Sequence, residues 1–196
     1  MRFSILWCWC LFVFSAPAFA SSYLIENQVC NGYAGGSLGG QSFVLSGASG
    51  LITELEIVSD QSHANATLYF GEGEGFGGPI LHSQAISFTA SADGTDFRSF
   101  VIDVPLALQA GETYTWWIEI PAGNVGLCIS QVDTYALGAH IGPSGTAAPN
   151  FDTTFRLHVR VPPVAVPTLS AWAMLALLLL VGGSAFVTRR GGRPAG

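Results

Sequence analysis

The sequence predicts an all-β domain, an antiparallel β-sandwich, set between two apolar ends, the second of which is a single C-terminal transmembrane helix. Three observations carry this expectation. Short runs of alternating or wholly apolar character recur between clusters of Gly, Pro, Asn and Asp, at the spacing of strands joined by turns. No run between them holds the 3.6-residue period of an amphipathic helix. Finally, Leu169 to Val187 carries no ionisable side chain, and its roughly 19 residues suffice for a helix to cross the hydrocarbon core.

The chain opens with Arg2, an apolar core from Ile5 to Phe14 and the small-x-small site Ala18-Phe19-Ala20. This is the pattern of a secretory signal peptide over 1–20, cut between Ala20 and Ser21, so the expected first partners are the translocon and signal peptidase. The ectodomain follows over 21–160. Strands are expected at Gln41–Leu45, Leu51–Ser59, Ala64–Phe70, Ile80–Thr89, Phe97–Val104, Thr113–Ile120, Gly126–Gln131 and Phe151–Val161. Period-two alternation turns Leu55, Ile57, Phe100, Ile102, Val104, Phe155, Leu157 and Val159 inward, and Glu54, Glu56, Ser99, Asp103, Arg156, His158 and Arg160 outward. Laying the last strand beside Glu54 and Glu56 would pair opposite charges. Residues 161–167, Val-Pro-Pro-Val-Ala-Val-Pro, read as an extended spacer. The span covers 168–188, and 189–196 form a basic tail whose Arg189, Arg190 and Arg193 hold it on the cytoplasmic side.

Charge and cysteines narrow the function further. All thirteen acidic residues lie in the ectodomain against Arg98, Arg156 and Arg160, a net of −10, and the chain has no lysine. Such a field repels phosphate backbones, so nucleic acid is excluded as a partner. Cys8 and Cys10 leave with the signal peptide, and Cys30 and Cys128 remain as an even pair in an oxidising compartment, which predicts one disulfide.

Val166-Pro167-Thr168-Leu169-Ser170-Ala171-Trp172, running into the apolar span and closed by Arg189 and Arg190, resembles the IPTL-CTERM sorting signal of exported proteins of Gram-negative bacteria. Pro167, Thr168, Leu169, Ser170 and Trp172 match the Ile-Pro-Thr-Leu-Ser-Glu-Trp-Gly pattern, while Val166, Ala171 and Ala173 replace isoleucine, glutamate and glycine. The resemblance implies membrane association and processing by an exosortase-type enzyme. A looser likeness, carried by Gln41-Ser-Phe, Thr67-Leu-Tyr-Phe, Gly71 to Gly78, Leu108 to Trp116 and Phe151 to Arg156, is to the jelly-roll domains that precede bacterial surface-anchoring tails. It implies a jelly-roll-like sandwich.

Catalytic patterns fail one by one. Gly73 to Gly78 satisfies G-x-G-x-x-G, but Pro79 and the extended run after it deny it a helix, which leaves a flexible loop. Glu72 and Glu74, two apart on that loop, lack the fixed separation that glycoside hydrolysis requires. His63, His82, His140 and His158 are scattered singly, and Ser49 and Ser144 lie in turns without a nucleophile elbow. No catalytic residue, cofactor or metal set is assigned. Calcium is the one ion in view, through the oxygen-rich loops Asp93 to Asp96 and Glu72/Glu74, neither of which has EF-hand spacing. In Thr113 to Ile120, alternation buries Tyr114, Trp116, Ile118 and Ile120 and sends Trp117 out beside Thr115 and Glu119, a candidate glycan platform.

The expectation is therefore a non-enzymatic, exported envelope protein. It would be a single-pass protein of the inner membrane with its domain in the periplasm, transferred to the cell surface or released after processing, and serving adhesion, matrix or surface display. The alternative is a carbohydrate-binding module acting with a separate enzyme.

Overall fold

A computed structural model describes residues 20–163 except Gly94. The expected signal peptide before Ala20, the sorting motif Val166 to Trp172, the span over 168–188 and the tail with Arg189 and Arg190 lie outside the described residues. Within them every regular element is a strand, and no helix is long and apolar enough to cross a membrane.

Eight longer strands form two antiparallel sheets. One runs in the order β1 (Ser21–Asn27), β13 (Phe155–Val161), β4 (Gly50–Ile57), β7 (Arg98–Leu108). The other contains, side by side, β3 (Leu38–Val44), β8 (Thr113–Glu119), β5 (His63–Glu72) and β6 (Ile80–Phe88), with β10 (His140–Ile141) and β11 (Ala147–Ala148) added at the β3 edge. A third, small sheet of β12 (Asp152–Thr153), β9 (Leu127–Ser130) and β2 (Gly32–Ala34) lies outside these two.

The pairing is nested. The first long strand pairs with the last (β1 with β13), the second with the seventh (β3 with β8), the third with the sixth (β4 with β7) and the fourth with the fifth (β5 with β6). That is the pattern of a long antiparallel hairpin rolled on itself, the jelly-roll arrangement of eight strands in two Greek keys. The inward side chains of both sheets make one core: Ile52, Leu55 and Ile57 of β4 and Phe155 and Leu157 of β13 meet Phe43, Leu68, Phe70, Trp116 and Ile118 of the opposite sheet. Trp116 and Phe155 touch across it, with ring centroids 5.9 Å apart.

The expected strand beside Glu54 and Glu56 is indeed the last one: Arg156 faces Glu56 and His158 faces Glu54. The inward sets are also found as alternation assigns them, with one correction. Val104 is exposed. From Val101, opposite Glu54, to Leu106, opposite Ile52, β7 advances five residues while β4 advances two. This bulge breaks the two-residue period that placed Val104 inside. The sequence reading also missed β1 and β2, whose apolar positions are few, and divided the 151–161 region differently, since Thr154 interrupts it between β12 and β13.

Cys30 and Cys128 are bonded, with Cα atoms 5.5 Å apart across 98 residues of sequence. The bridge ties the segment after β1 to β9 and so closes the end of the sandwich that carries the small sheet. At the other end of β1, Ser21 is paired with Val161, so the first residue after the expected cleavage and the last residue of β13 leave the sheet as neighbours.

Candidate functional site

Three places gather polar or aromatic side chains that the core does not absorb. The first is the outer face of the larger sheet around β8. Trp117 does point away from Trp116, but it is only 4 % exposed, which corrects the expected open platform. Tyr69 of β5 stacks on one side of it at 5.0 Å and 12°, and Phe76 leans on it at 5.2 Å. Phe76 belongs to the segment Gly71 to Gly78, which folds over the sheet and is tied there by hydrogen bonds. Gly73 N donates to Thr113 O at 2.8 Å, Thr115 Oγ1 donates to Gly73 O at 2.7 Å, and Gly75 N donates to Thr115 Oγ1 at 3.0 Å.

Gly75 has φ +89°, and a Cβ there would lie 2.4 Å from Gly145 O, so only glycine fits the crossing. The expected flexible loop is thus a tethered cover, and it buries Thr115 along with Trp117. Of the proposed platform only Glu119 stays exposed. Beside it a shallow cleft of about 440 Å³ is lined by Asn65, Thr67, Tyr69, Ala85, Glu119 and Pro121. The Tyr69 phenol is held above its ordinary range, by burial first and then by the Glu119 carboxylate.

The second place is the closed end. Asp152, buried in β12, accepts from Gln41 Nε2 at 3.0 Å, Thr134 N at 2.7 Å and Tyr135 N at 2.8 Å. Gln41 Oε1 in turn accepts from Thr153 N at 2.6 Å, and Thr153 Oγ1 donates to Gly40 O at 2.8 Å. That hydroxyl therefore accepts from Nδ1 of buried His140, 2.9 Å away. Burial pushes the His140 imidazole below its ordinary 6.5, ahead of the opposing pull of Gly40 and Asp152. Burial likewise pushes the Tyr135 phenol up to about 12. The Asp152 carboxylate, the Gln41 amide and the Thr153 hydroxyl are each turned to other protein groups and so fix the segment from Asp133 to Asn150 on the domain, while the Tyr135 hydroxyl is buried without a hydrogen-bond partner.

The third place is the outer face of the smaller sheet. Arg156 of β13 sits between Glu26 of β1 and Glu56 of β4, at 3.3 Å from each, with Phe97 under its guanidinium at 3.9 Å. Two residues on, His158 Nε2 faces Glu56 Oε1 at 3.7 Å and Glu54 Oε2 at 4.0 Å. Among the described residues this is the group of Glu, Asp, His and Cys whose ligand atoms converge, all lying within 4.8 Å of one another. Sequence reasoning placed the three side chains on one face and did not connect them, because an imidazole and two carboxylates on strands a hundred residues apart have no motif.

The remaining sequence candidates stay apart. Asp93 accepts from Thr95 N at 3.0 Å and Thr95 Oγ1 at 2.7 Å, bonds that lower its carboxyl and close a turn. Glu74 of the glycine loop accepts from Ser42 Oγ at 3.3 Å. His63 bonds Asn124 O at 2.9 Å, and His82 lies between Gln84 at 3.0 Å and Asp103 at 3.2 Å.

Comparison with known proteins adds one firm finding. Residues 164–191 match the IPTL-CTERM motif. The motif suggests a C-terminal sorting tail on an exported, membrane-sorted protein. No curated protein matches the chain. Among solved structures, the chain is similar to that of the infectious bursal disease virus Gx strain, with 10 % identity and a TM-score of 0.30 over 76 % of this chain and 33 % of that one. It is also similar to the VP2 subviral particle of infectious bursal disease virus, with 14 % identity and a TM-score of 0.29 over 76 % of this chain and 34 % of that one. The chain spans about a third of the length of the solved structures it matches.

Proposed function

We propose that this chain is a non-enzymatic envelope protein that displays a disulfide-closed jelly roll outside the inner membrane, for adhesion, matrix or surface presentation. Export would use the signal peptide over 1–20, signal peptidase and the translocon. An exosortase-type enzyme would read Val166 to Trp172 and act near the Pro-Thr-Leu element, with residues 168–188 spanning the bilayer until then. The observation that carries the reading is the sorting motif at 164–191, placed directly after the domain's last strand. Three features support it. The domain carries a net −10 and no lysine, which keeps it soluble and off anionic surfaces. A disulfide is the mark of an oxidising space. The polar clusters at the closed end and in the glycine loop are spent on structure.

Mass spectrometry of the mature C-terminus, with fractionation of the producing cells, tests the reading. The expected species begins at Ser21, has lost Arg193 and lies beyond the cytoplasm. A full-length cytosolic chain with both thiols reduced would overturn it. A second reading, glycan recognition beside a separate enzyme, now rests on Tyr69 and Glu119 in the 440 Å³ cleft, with Trp117 only backing the tyrosine ring. Tyr69→Ala should then abolish glycan-array binding, and a silent array for the unaltered protein would remove this reading.

A further inference from the structure

On the outer face of the smaller sheet, Glu54, Glu56 and His158 bring two carboxylate oxygens and an imidazole nitrogen together. His158 Nε2 is shut off from solvent and makes no hydrogen bond. It faces one oxygen of each carboxylate, at 3.7 and 4.0 Å. The other oxygen of each is already engaged: Glu54 Oε1 takes the hydroxyl of Ser99, and Glu56 Oε2 takes Arg156 Nη1 at 3.3 Å. Each carboxylate is thereby oriented so that its free oxygen turns toward the imidazole. Two irregularities flank the group, since register shifts between His158 and Val159 on β13 and between Ile52 and Glu54 on β4. Bulges of this kind re-aim side chains.

Two carboxylate oxygens converging on one imidazole nitrogen call for a positive centre, either a proton on Nε2 or a cation bound between the three atoms. The carboxylates of Glu26, Glu54 and Glu56 outnumber Arg156 and Arg160, the outward cations of β13, by one. We propose that Glu54, Glu56 and His158 form a surface site for a divalent transition-metal ion of the zinc class. Imidazole selects such ions over calcium and magnesium, which take oxygen ligands alone. Ligands in a tetrahedral zinc site stand about 3.4 Å apart, given metal–ligand bonds near 2.1 Å. The observed 3.7 and 4.0 Å from Nε2, in a group whose ligand atoms all lie within 4.8 Å of one another, would contract as the ion binds. The fourth position opens on a cleft of about 560 Å³ bordered by Ser22, Tyr23, Thr53 and Arg160, where water or a ligand from a second molecule can complete the shell. Ser99 and Arg156 are positioning residues that hold the carboxylates. The bound ion would clasp β13, the last strand before the spacer, to central β4.

The test uses the full chain in detergent, prepared without a histidine tag and stripped with chelator. Equilibrium dialysis against zinc should find one equivalent bound, cobalt should give a visible absorption band, and zinc should raise Tm, since an ion that binds only the folded state stabilises it. His158→Gln, Glu54→Gln and Glu56→Gln should each weaken binding by more than about tenfold, and Ser99→Ala by about tenfold, as loss of an orienting partner does. His63→Gln should leave binding unchanged. No zinc bound and no rise in Tm would overturn the proposal. So would zinc binding that survives His158→Gln. Should that variant fail to fold, Glu54→Gln and Glu56→Gln, which keep the side-chain volume, carry the same decision.

Discussion

The two outer faces of this sandwich are built from similar strands and end in opposite states. On the larger sheet, Thr115 and Trp117 are buried because the segment Gly71 to Gly78 crosses over them and hydrogen-bonds to β8. Among the described residues the smaller sheet has no such cover, and its outward positions include Glu26, Glu54, Glu56, Arg156 and His158, all half-buried or exposed. A covered face adds apolar burial and leaves partners only its margin, the cleft beside Tyr69 and Glu119. An open face contributes little energy and stays available for ions or other molecules. The difference places structure on one side of the jelly roll and candidate chemistry on the other.

Both faces share the closed end, and that end gives the largest expected effect. Opening the Cys30–Cys128 loop of 98 residues with Cys30→Ser and Cys128→Ser should lower stability by about 4 to 5 kcal/mol on the chain-entropy account, read from urea unfolding. Trp117→Ala and Val101→Ala then sharpen the contrast. Trp117 lies beneath a cover, so its loss should cost about 3 to 5 kcal/mol, as for other buried tryptophans. Val101, 70 % exposed on the smaller sheet, should change stability by less than about 0.5 kcal/mol. Equal effects would break the comparison.

Gly75→Ala attacks the cover alone. A left-handed backbone and a Cβ 2.4 Å from Gly145 O should cost about 1 to 3 kcal/mol and speed hydrogen exchange at the amides of residues 73 and 75 in the cover before those of β8 beneath it.

A pH effect belongs to the closed end. Because burial depresses the His140 imidazole, the unfolded chain binds its proton first as pH falls below about 6.5. Folding stability should therefore be complete above that value and decline through the window beneath it, down to the lowered folded value. His140→Gln should flatten this part of the stability profile. A small coupling is expected on the open face, where a double-mutant cycle between Arg156 and Glu56 should give about 0.3 to 1 kcal/mol, falling with added salt.

Alternation made much of the sandwich legible. In the strands of β4, β8 and β13, polar and apolar residues take turns so regularly that Leu55, Ile57, Trp116, Ile118, Phe155 and Leu157 could be turned inward from sequence alone, and all are buried. The same rule failed at Val104, where a bulge on β7 shifts the period, and bulges leave no composition signal. It failed differently at Trp117. Alternation states which face a side chain takes, and it did so correctly here. Whether that face meets water depends on a loop some forty residues away in sequence, and its string of glycines reads as a flexible connection.

What the sequence determined by itself is therefore local: strand character, the inward sets, the lone pair of ectodomain cysteines, and the sorting motif, each fixed by a residue's type and its immediate neighbours. What only the tertiary structure decided is which distant segments meet. It laid a glycine loop over Trp117 and set His158 between Glu54 and Glu56, about a hundred residues apart in the chain. Such meetings come from nested strand pairing, in which the free energy of closing the core selects partners far apart in the chain and surface side chains follow the backbone.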